Sequence, residues 1–286
     1  MLPSGTQSAG RFGTLAVAQV PFRQDHIISP TRRRFGRWGR WGKRLLLIGL
    51  LVSGLLGGTF CWLWETTPGV TDLSTQVHTV DQQHQAPYTP LAQISPLIQQ
   101  ALIVTEDEHF YQHHGIDVLG LVRAGWDDLL AGHLVEGGST LTEQVAKDAY
   151  LGGDDHSIGR KLEDMVLALK IEQHYSKAQI LEFYLNLVYF GDGAYGIGAA
   201  SERYFGRLPA QVDLAQAALL VGLVQAPSAD DPLCHPAAAR ARQQTVLGRL
   251  LSSGAITATQ AATASAEVLP FWAPGVHPAR NASCGG

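Results

Sequence analysis

Twenty consecutive residues, Leu45 to Trp64 (LLLIGLLVSGLLGGTFCWLW), carry no charge, and whatever this chain folds into must accommodate them. At about 1.5 Å of rise per residue, a helix of that length matches a hydrocarbon core of roughly 30 Å, so the chain is expected to cross a membrane once. Immediately before it runs RRRFGRWGRWGKR, from Arg32 to Arg44. Arg and Lys beside a span stay on the cytoplasmic side, which predicts a single-pass protein of the cytoplasmic membrane with its N-terminus inside. Everything after Trp64 is then external, in the periplasm of a Gram-negative cell. A cleaved signal peptide would show a shorter apolar stretch of about 7–15 residues and small residues at a cut site, and the sequence shows neither. Cys61 follows the bulky Phe60, unlike a bacterial lipidation site. Trp62 and Trp64 at one end, with Trp38 and Trp41 at the other, fit aromatic interfacial belts.

Charge divides sharply around this stretch. Residues 1–44 hold nine Arg or Lys against one acid, whereas 65–286 hold twelve against twenty-four. An acidic outer part argues against nucleic acid as a partner, since such surfaces are basic. The basic arm suits topology and attraction to anionic lipid. Cys234 and Cys284 fall in the outer part, where an oxidising compartment permits a disulfide, although sequence alone does not pair them.

These signals divide the chain into a basic cytoplasmic arm (1–44), a transmembrane helix (45–64), a linker (65–89), a folded domain (90–260) and a tail (261–286). Residues 1–31 show little periodicity and read as disordered. The linker is polar, with Pro68 and Pro87, and reads as a spacer off the membrane. The tail carries Pro270, Pro274 and Pro278. Within the folded domain apolar residues recur at helical steps: Leu119, Val122, Trp126 and Leu129, then Ile158, Leu162, Met165 and Leu169. Lys177 to Leu187 and Asp213 to Val224 are also helix-like, and no long alternating run suggests strands. A mainly α domain is expected.

Three constellations could carry chemistry. Glu106-Asp107-Glu108-His109-Phe110-Tyr111-Gln112-His113-His114-Gly115 follows the apolar run Ala101 to Val104. Carboxylates after a buried segment can share a cleft where one acquires the raised pKa that proton transfer at neutral pH needs; a solvated helix end fits the same pattern. His109, His113 and His114 raise the question of zinc, but no HExxH element or cysteine pair completes a site. Next, Gly137-Gly138-Ser139-Thr140-Leu141-Thr142-Glu143-Gln144 reads as a permissive loop and a capping box, Thr140-x-x-Glu143, opening a helix through Lys147. It serves either as a helix start alone or as a phosphate site. Last, the helix carrying Arg160-Lys161-Leu162-Glu163-Asp164 displays a cation and two acids opposite its apolar stripe, the ordinary pattern of surface ion pairing.

Taken together they resemble a known family. EDxxFYxHxG at Glu106 to Gly115, GGSTLTxQ at Gly137 to Gln144, RKxxx at Arg160 to Asp164, and Lys177-x-x-Ile180-Leu181-Glu182-x-Tyr184-Leu185-Asn186 stand in the order and approximate spacing of glycosyltransferase family 51. Arg242-x-x-x-Val246-Leu247 resembles its fifth motif, and Tyr189-Phe190-Gly191 through Tyr204-Phe205-Gly206 the stretch between the fourth and fifth. The resemblance covers roughly residues 90–255. It implies a lysozyme-like, mainly α glycosyltransferase domain behind one N-terminal transmembrane helix, polymerising lipid II and lipid-linked glycan, with inversion at the anomeric carbon and release of undecaprenyl pyrophosphate. No Ser-x-x-Lys, Lys-Thr-Gly or Lys-Ser-Gly occurs, so no transpeptidase activity is expected.

The resemblance also implies roles. Glu106 matches the base that takes the proton from the acceptor's 4-hydroxyl, and Asp164 stands where the family has a second catalytic Glu. Substrate contacts are implied for Asp107, Phe110 and His113, for Ser139, Thr140, Thr142, Glu143, Gln144 and Lys147, for His156, Arg160 and Lys161, and for Glu182 and Asn186. Lys147 and Arg160 are the best cations for a leaving pyrophosphate. No permanently bound cofactor is implied, though a divalent cation (Mg or Mn) often assists in the family. The membrane and cell-wall synthesis proteins are the expected partners. The segment Ile116 to His133 matches the part thought to lie against the membrane. Three positions depart from the family pattern: Glu143 replaces Gln, Asp164 replaces Glu, and His156 stands where some members have Arg. They leave open an alternative reading, a catalytically weak lipid II-binding or scaffold protein.

Overall fold

The computed structural model describes residues 36–123, 138–152 and 157–269, with backbone only for 36–40. The chain divides into two compact units, residues 1–53 and 54–286. Of the first, the described part is helical throughout. Helix α1, Gly36–Thr66, contains the apolar stretch, and Trp41–Thr66 is long and apolar enough to cross a membrane.

In the second unit the described elements are helices, and the described residues form no strand, only an isolated bridge between Tyr189 and Tyr195. Helix α2 is Leu73–His84 and α3 is Pro96–Glu106, opened by the Ser95 hydroxyl with Pro96 in the first turn. Helix α4, Leu141–Ala146, runs into a π-helical turn, Lys147–Leu151. Then come α5 (Ile158–His174), α6 (Lys177–Leu187), α7 (Gly196–Phe205), α8 (Leu214–Leu223), α9 (Pro236–Ser252) and α10 (Ala258–Ala266). Reciprocal capping boxes start α6 (Ser176 with Gln179), α8 (Asp213 with Gln216) and α10 (Thr257 with Gln260). Helix α8 is buried from Ala215 through Leu223 and forms the centre, with α3 and α9 packed on it. The short α4 packs on α5 and α6, so the helices bearing the second, third and fourth motifs meet there.

Three sequence expectations need correction. Residues 65–89 are not a spacer: Val70, Leu73 and Val77 are core residues, and α2 packs on α6. The fold also passes residue 260, because Ala264 and Leu269 join the same core. Finally, the stripe Ile158, Leu162, Met165 and Leu169 does not face the core. Ile158 is 82% exposed and Leu162 38%, while Asp164, Leu167, Ala168, Lys170 and Ile171 are buried. The helix is turned by about half a revolution from the face its apolar periodicity predicts. Val118, Leu119 and Val122 are exposed as well. Cys234 is disulfide-bonded and Cys61 is free; Cys284 lies outside the described residues, as do residues 1–35, Trp126, Leu129 and Pro270 onward.

Candidate active site

Glu106 closes α3, where the chain breaks into an extended Asp107. Its carboxylate accepts a hydrogen bond from Gln144 Nε2 at 3.4 Å, and Gln144 Oε1 accepts one from the buried Tyr184 hydroxyl at 3.0 Å. Burial pushes the Glu106 carboxyl above the usual carboxylate range, while Gln144, Arg249 and Arg242 pull it back. Arg249 reaches from α9 and donates to the Thr105 carbonyl, one residue before the acid. A carboxylate dehydrated yet approached by fixed donors can take a proton near neutral pH.

The other residues of the first motif hold the loop in place. Asp107 accepts from the Leu141 amide at 2.9 Å and pairs with His113 Nε2 at 2.9 Å, which ties the end of α3 to the start of α4. Gly115 has φ +93°, and a Cβ there would meet the Ala168 carbonyl oxygen at 2.9 Å, so only glycine lets the loop lie on α5. Phe110 is a fully buried core residue whose ring is covered by Lys177 Nζ at 4.4 Å.

The second motif is half of the expected capping box. The Thr140 hydroxyl accepts from the Glu143 amide and donates to the Gly115 carbonyl at 2.7 Å. The reciprocal bond is replaced, because the Glu143 side chain turns to Lys161 on α5, with which it forms a short ion pair. Lys161 Nζ also donates to Ser139 Oγ at 2.7 Å. Burial raises the Glu143 carboxyl; Lys161 lowers it, and Asp164 and Asp107 raise it further. Thr142 is buried and donates to Glu172, which pairs with Lys177, so its hydroxyl is committed to the interior.

Asp164 gathers the cations. Burial raises its carboxyl, while Lys161, Arg160 and Lys147 act on it to lower it, in that order. Lys147 sits in the π-helical turn, a distortion that no sequence signal announced. Arg160 Nε lies 3.8 Å from Asp164 Oδ1, an ion pair one turn apart on α5. His156 lies outside the described residues. In the fourth motif, Glu182 accepts from the Leu91 amide at 2.6 Å and from the Tyr88 hydroxyl, and Asn186 bonds both backbone groups of Thr89. These two residues clamp residues 88–91. Tyr184 was quoted in the fourth motif without a role, and Arg249 was not singled out; Arg249 lies seven residues after Arg242, on the same face of one helix, which was the available signal.

Among the described residues no three His, Cys, Asp or Glu side chains converge as a divalent cation requires. His113 is paired with Asp107 and His109 with Asp117.

A family model described as Transglycosylase matches residues 73–251, most of the described part of the second unit. The chain belongs to the transglycosylase family. Its transglycosylase domain is 41% identical over 177 residues to Penicillin-binding protein 1F of Bacillus subtilis, covering 62% of this chain and 25% of that one. It is 38% identical over 225 residues to Penicillin-binding protein 1A of Escherichia coli, covering 74% and 26%. The chain thus spans about a quarter of the length of these two relatives. A Cupriavidus necator protein named as a transglycosylase is 39% identical over 214 residues, 73% of this chain and 90% of that one. A crystal structure of Penicillin-Binding Protein 1A from Haemophilus influenzae aligns at 21% identity over 63% of this chain and 17% of that one, with a TM-score of 0.38. That overlap is too loose to bear on the site.

Proposed function

We propose that the transglycosylase domain polymerises lipid II into peptidoglycan glycan strands on the outer side of the cytoplasmic membrane, held there by α1. The observation that carries this reading is the pairing of a dehydrated, raised carboxyl at Glu106 with a separate set of cations around Asp164. Transfer of a sugar from a diphosphate needs both. A sugar hydroxyl is a poor nucleophile until a base removes its proton, and a departing diphosphate accumulates charge that fixed cations must stabilise.

In this reading Glu106 takes the proton from the acceptor's 4-hydroxyl as that oxygen attacks the anomeric carbon of the donor. The bond to the lipid pyrophosphate breaks on the opposite face, which inverts the configuration. Lys147 and Arg160 receive the charge on the leaving group, and Lys161 joins them to the extent that Glu143 releases it. The buried Tyr184 hydroxyl, held neutral by burial, fixes Gln144 so that its amide nitrogen points at Glu106. The exposed Val118, Leu119, Val122 and Ile158 suit a domain whose substrate keeps its lipid in the bilayer.

The engagement of Lys161 by Glu143 favours one second reading, a weak enzyme that chiefly holds lipid II. Purified protein supplied with fluorescent lipid II separates the two. Long glycan is the expected product; binding without extension would replace the enzyme by the scaffold, and shortening of preformed glycan would make it a hydrolase or lytic enzyme.

A further inference from the structure

Lys170 stands apart from every role assigned above. It lies on α5, is 9% exposed, and its ammonium points at the end of α1 rather than at the reaction site. Nζ donates to the carbonyls of Trp64 at 2.7 Å, Thr67 at 2.9 Å and Pro68 at 3.4 Å, and it sits 5.2 Å from the Trp64 ring centroid. Three donors thus meet three acceptors, at the place where a helix leaves its last carbonyls unpaired and carries partial negative charge. Burial draws the Lys170 ammonium below the usual lysine range, so a buried cation is retained there at a cost. Five residues on, Tyr175 donates its hydroxyl to the Val70 carbonyl at 3.1 Å, fastening the same stretch a second time.

We propose that Lys170 is a positioning residue that sets the height of the reaction site above the bilayer, by locking the end of the membrane-crossing helix to the helix that bears Lys161 and Asp164. The proposal rests on the membrane-bound reading given above. Along α5, Asp164 and Lys161 are six and nine residues from Lys170, a rigid spacing of about 9 and 14 Å. Without the lock, only residues 67–70 would join α1 to the core, a tether with an end-to-end distance of roughly 11 Å, and the site would sample heights spread over a comparable range. A substrate whose lipid is embedded cannot follow such excursions. A displacement of about 1 Å is enough to cost on the order of 10²-fold in rate.

The test compares two substrates. Lys170→Met and Lys170→Arg, in the full chain reconstituted in liposomes, are assayed with full-length polyprenyl lipid II in the bilayer. The same variants in detergent are assayed with a short-chain, water-soluble lipid II analogue. Lys170→Met is expected to lose roughly 10- to 100-fold on the embedded substrate and less than about 2-fold on the soluble one, with Lys170→Arg close to wild type on both. A further variant inserts Gly-Ser-Gly between Pro68 and Gly69, outside the three carbonyls Lys170 holds; it should be mild alone. Equal losses on both substrates, or no loss on either, would overturn the positioning role. A wild type inactive on both would instead overturn the glycosyltransferase reading itself.

Discussion

Removing Lys161 should destabilise the protein more than removing the glutamate it pairs with, although the two make the same ion pair. The Glu143 side chain is 3% exposed and that of Lys161 35%. Lys161→Met therefore strands a carboxylate in a dry place, with Asp164 and Asp107 adding repulsion. Breaking a buried pair in this way costs about 3–5 kcal/mol. Glu143→Gln leaves Lys161 partly solvated and still bonded to Ser139, so its cost is about 1 kcal/mol or less, and it can be a gain. The sign follows from protonation. Burial raises the Glu143 carboxyl in the fold, so the folded form favours the protonated acid, and stability on this account is fully present below the ordinary carboxylate range and lost as pH rises through the raised value. Any gain from Glu143→Gln should accordingly appear at pH 7.5 and vanish in acid, while the damage of Lys161→Met shrinks in acid. The double variant removes the stranded charge and should recover at least about 2 kcal/mol relative to Lys161→Met. Denaturant unfolding of the purified variants at two pH values measures all of this. If Lys161→Met costs under about 1 kcal/mol at pH 7.5, or the double variant is no more stable than it, then Glu143 is not a buried charge sustained by Lys161.

Glu106→Gln keeps an oxygen for Gln144 to bond but cannot take a proton, so glycan synthesis should fall about 10²- to 10⁴-fold, or about 2.7–5.4 kcal/mol, with lipid II binding retained; a normal rate would remove Glu106 from the mechanism. Because burial raises this carboxyl and Arg249 lowers it, the acid limb of the wild-type pH–rate profile should lie above the ordinary glutamate range and move higher still in Arg249→Gln. Asp164→Asn should abolish activity and Glu163→Gln should be mild, since only Asp164 turns into the cation cluster; similar losses from both would refute that geometry. Asn186→Ala leaves both backbone groups of Thr89 unpaired and should cost about 2–5 kcal/mol of stability with little change in kcat, whereas a selective loss of kcat would return Asn186 to the substrate.

The sequence was legible wherever a residue's part depends on its own chain neighbours. Lys177 to Leu187 and Asp213 to Val224 read as helices because their periods and caps are local, and both formed within a residue of the expected bounds. The long apolar helix was legible for the same reason. Residues 65–89 were not, because polar composition hid Leu73, Val77 and Val80, which stand at i, i+4 and i+7. The α5 stripe misled in the opposite direction: its apolar residues are turned outward, while Lys170 and Asp164 are buried by partners from α1 and α4 that no local pattern encodes. Motif spacing brought Glu106, Gln144 and Asp164 onto one list, but it did not distinguish them from Phe110, Glu182 and Asn186, whose atoms are spent inside the protein.

Glu143 shows what that difference means for function. Read along the chain, a glutamate in place of glutamine completes a capping box and places negative charge beside a diphosphate, a local gain and a functional loss. In the fold, the cap is made by Thr140 alone, and the glutamate instead binds Lys161 from the neighbouring helix. A glutamine there would leave that lysine free for substrate at all times; the glutamate makes its availability depend on what else approaches. In the proposed reaction a diphosphate beside Asp164 competes with Glu143 for that lysine. The departure therefore does not simply subtract a positive charge from the site. In the proposed reaction Lys161 serves the leaving group only by exchanging Glu143 for it, and the Lys161 and Glu143 double variant measures the strength of the pair that must give way.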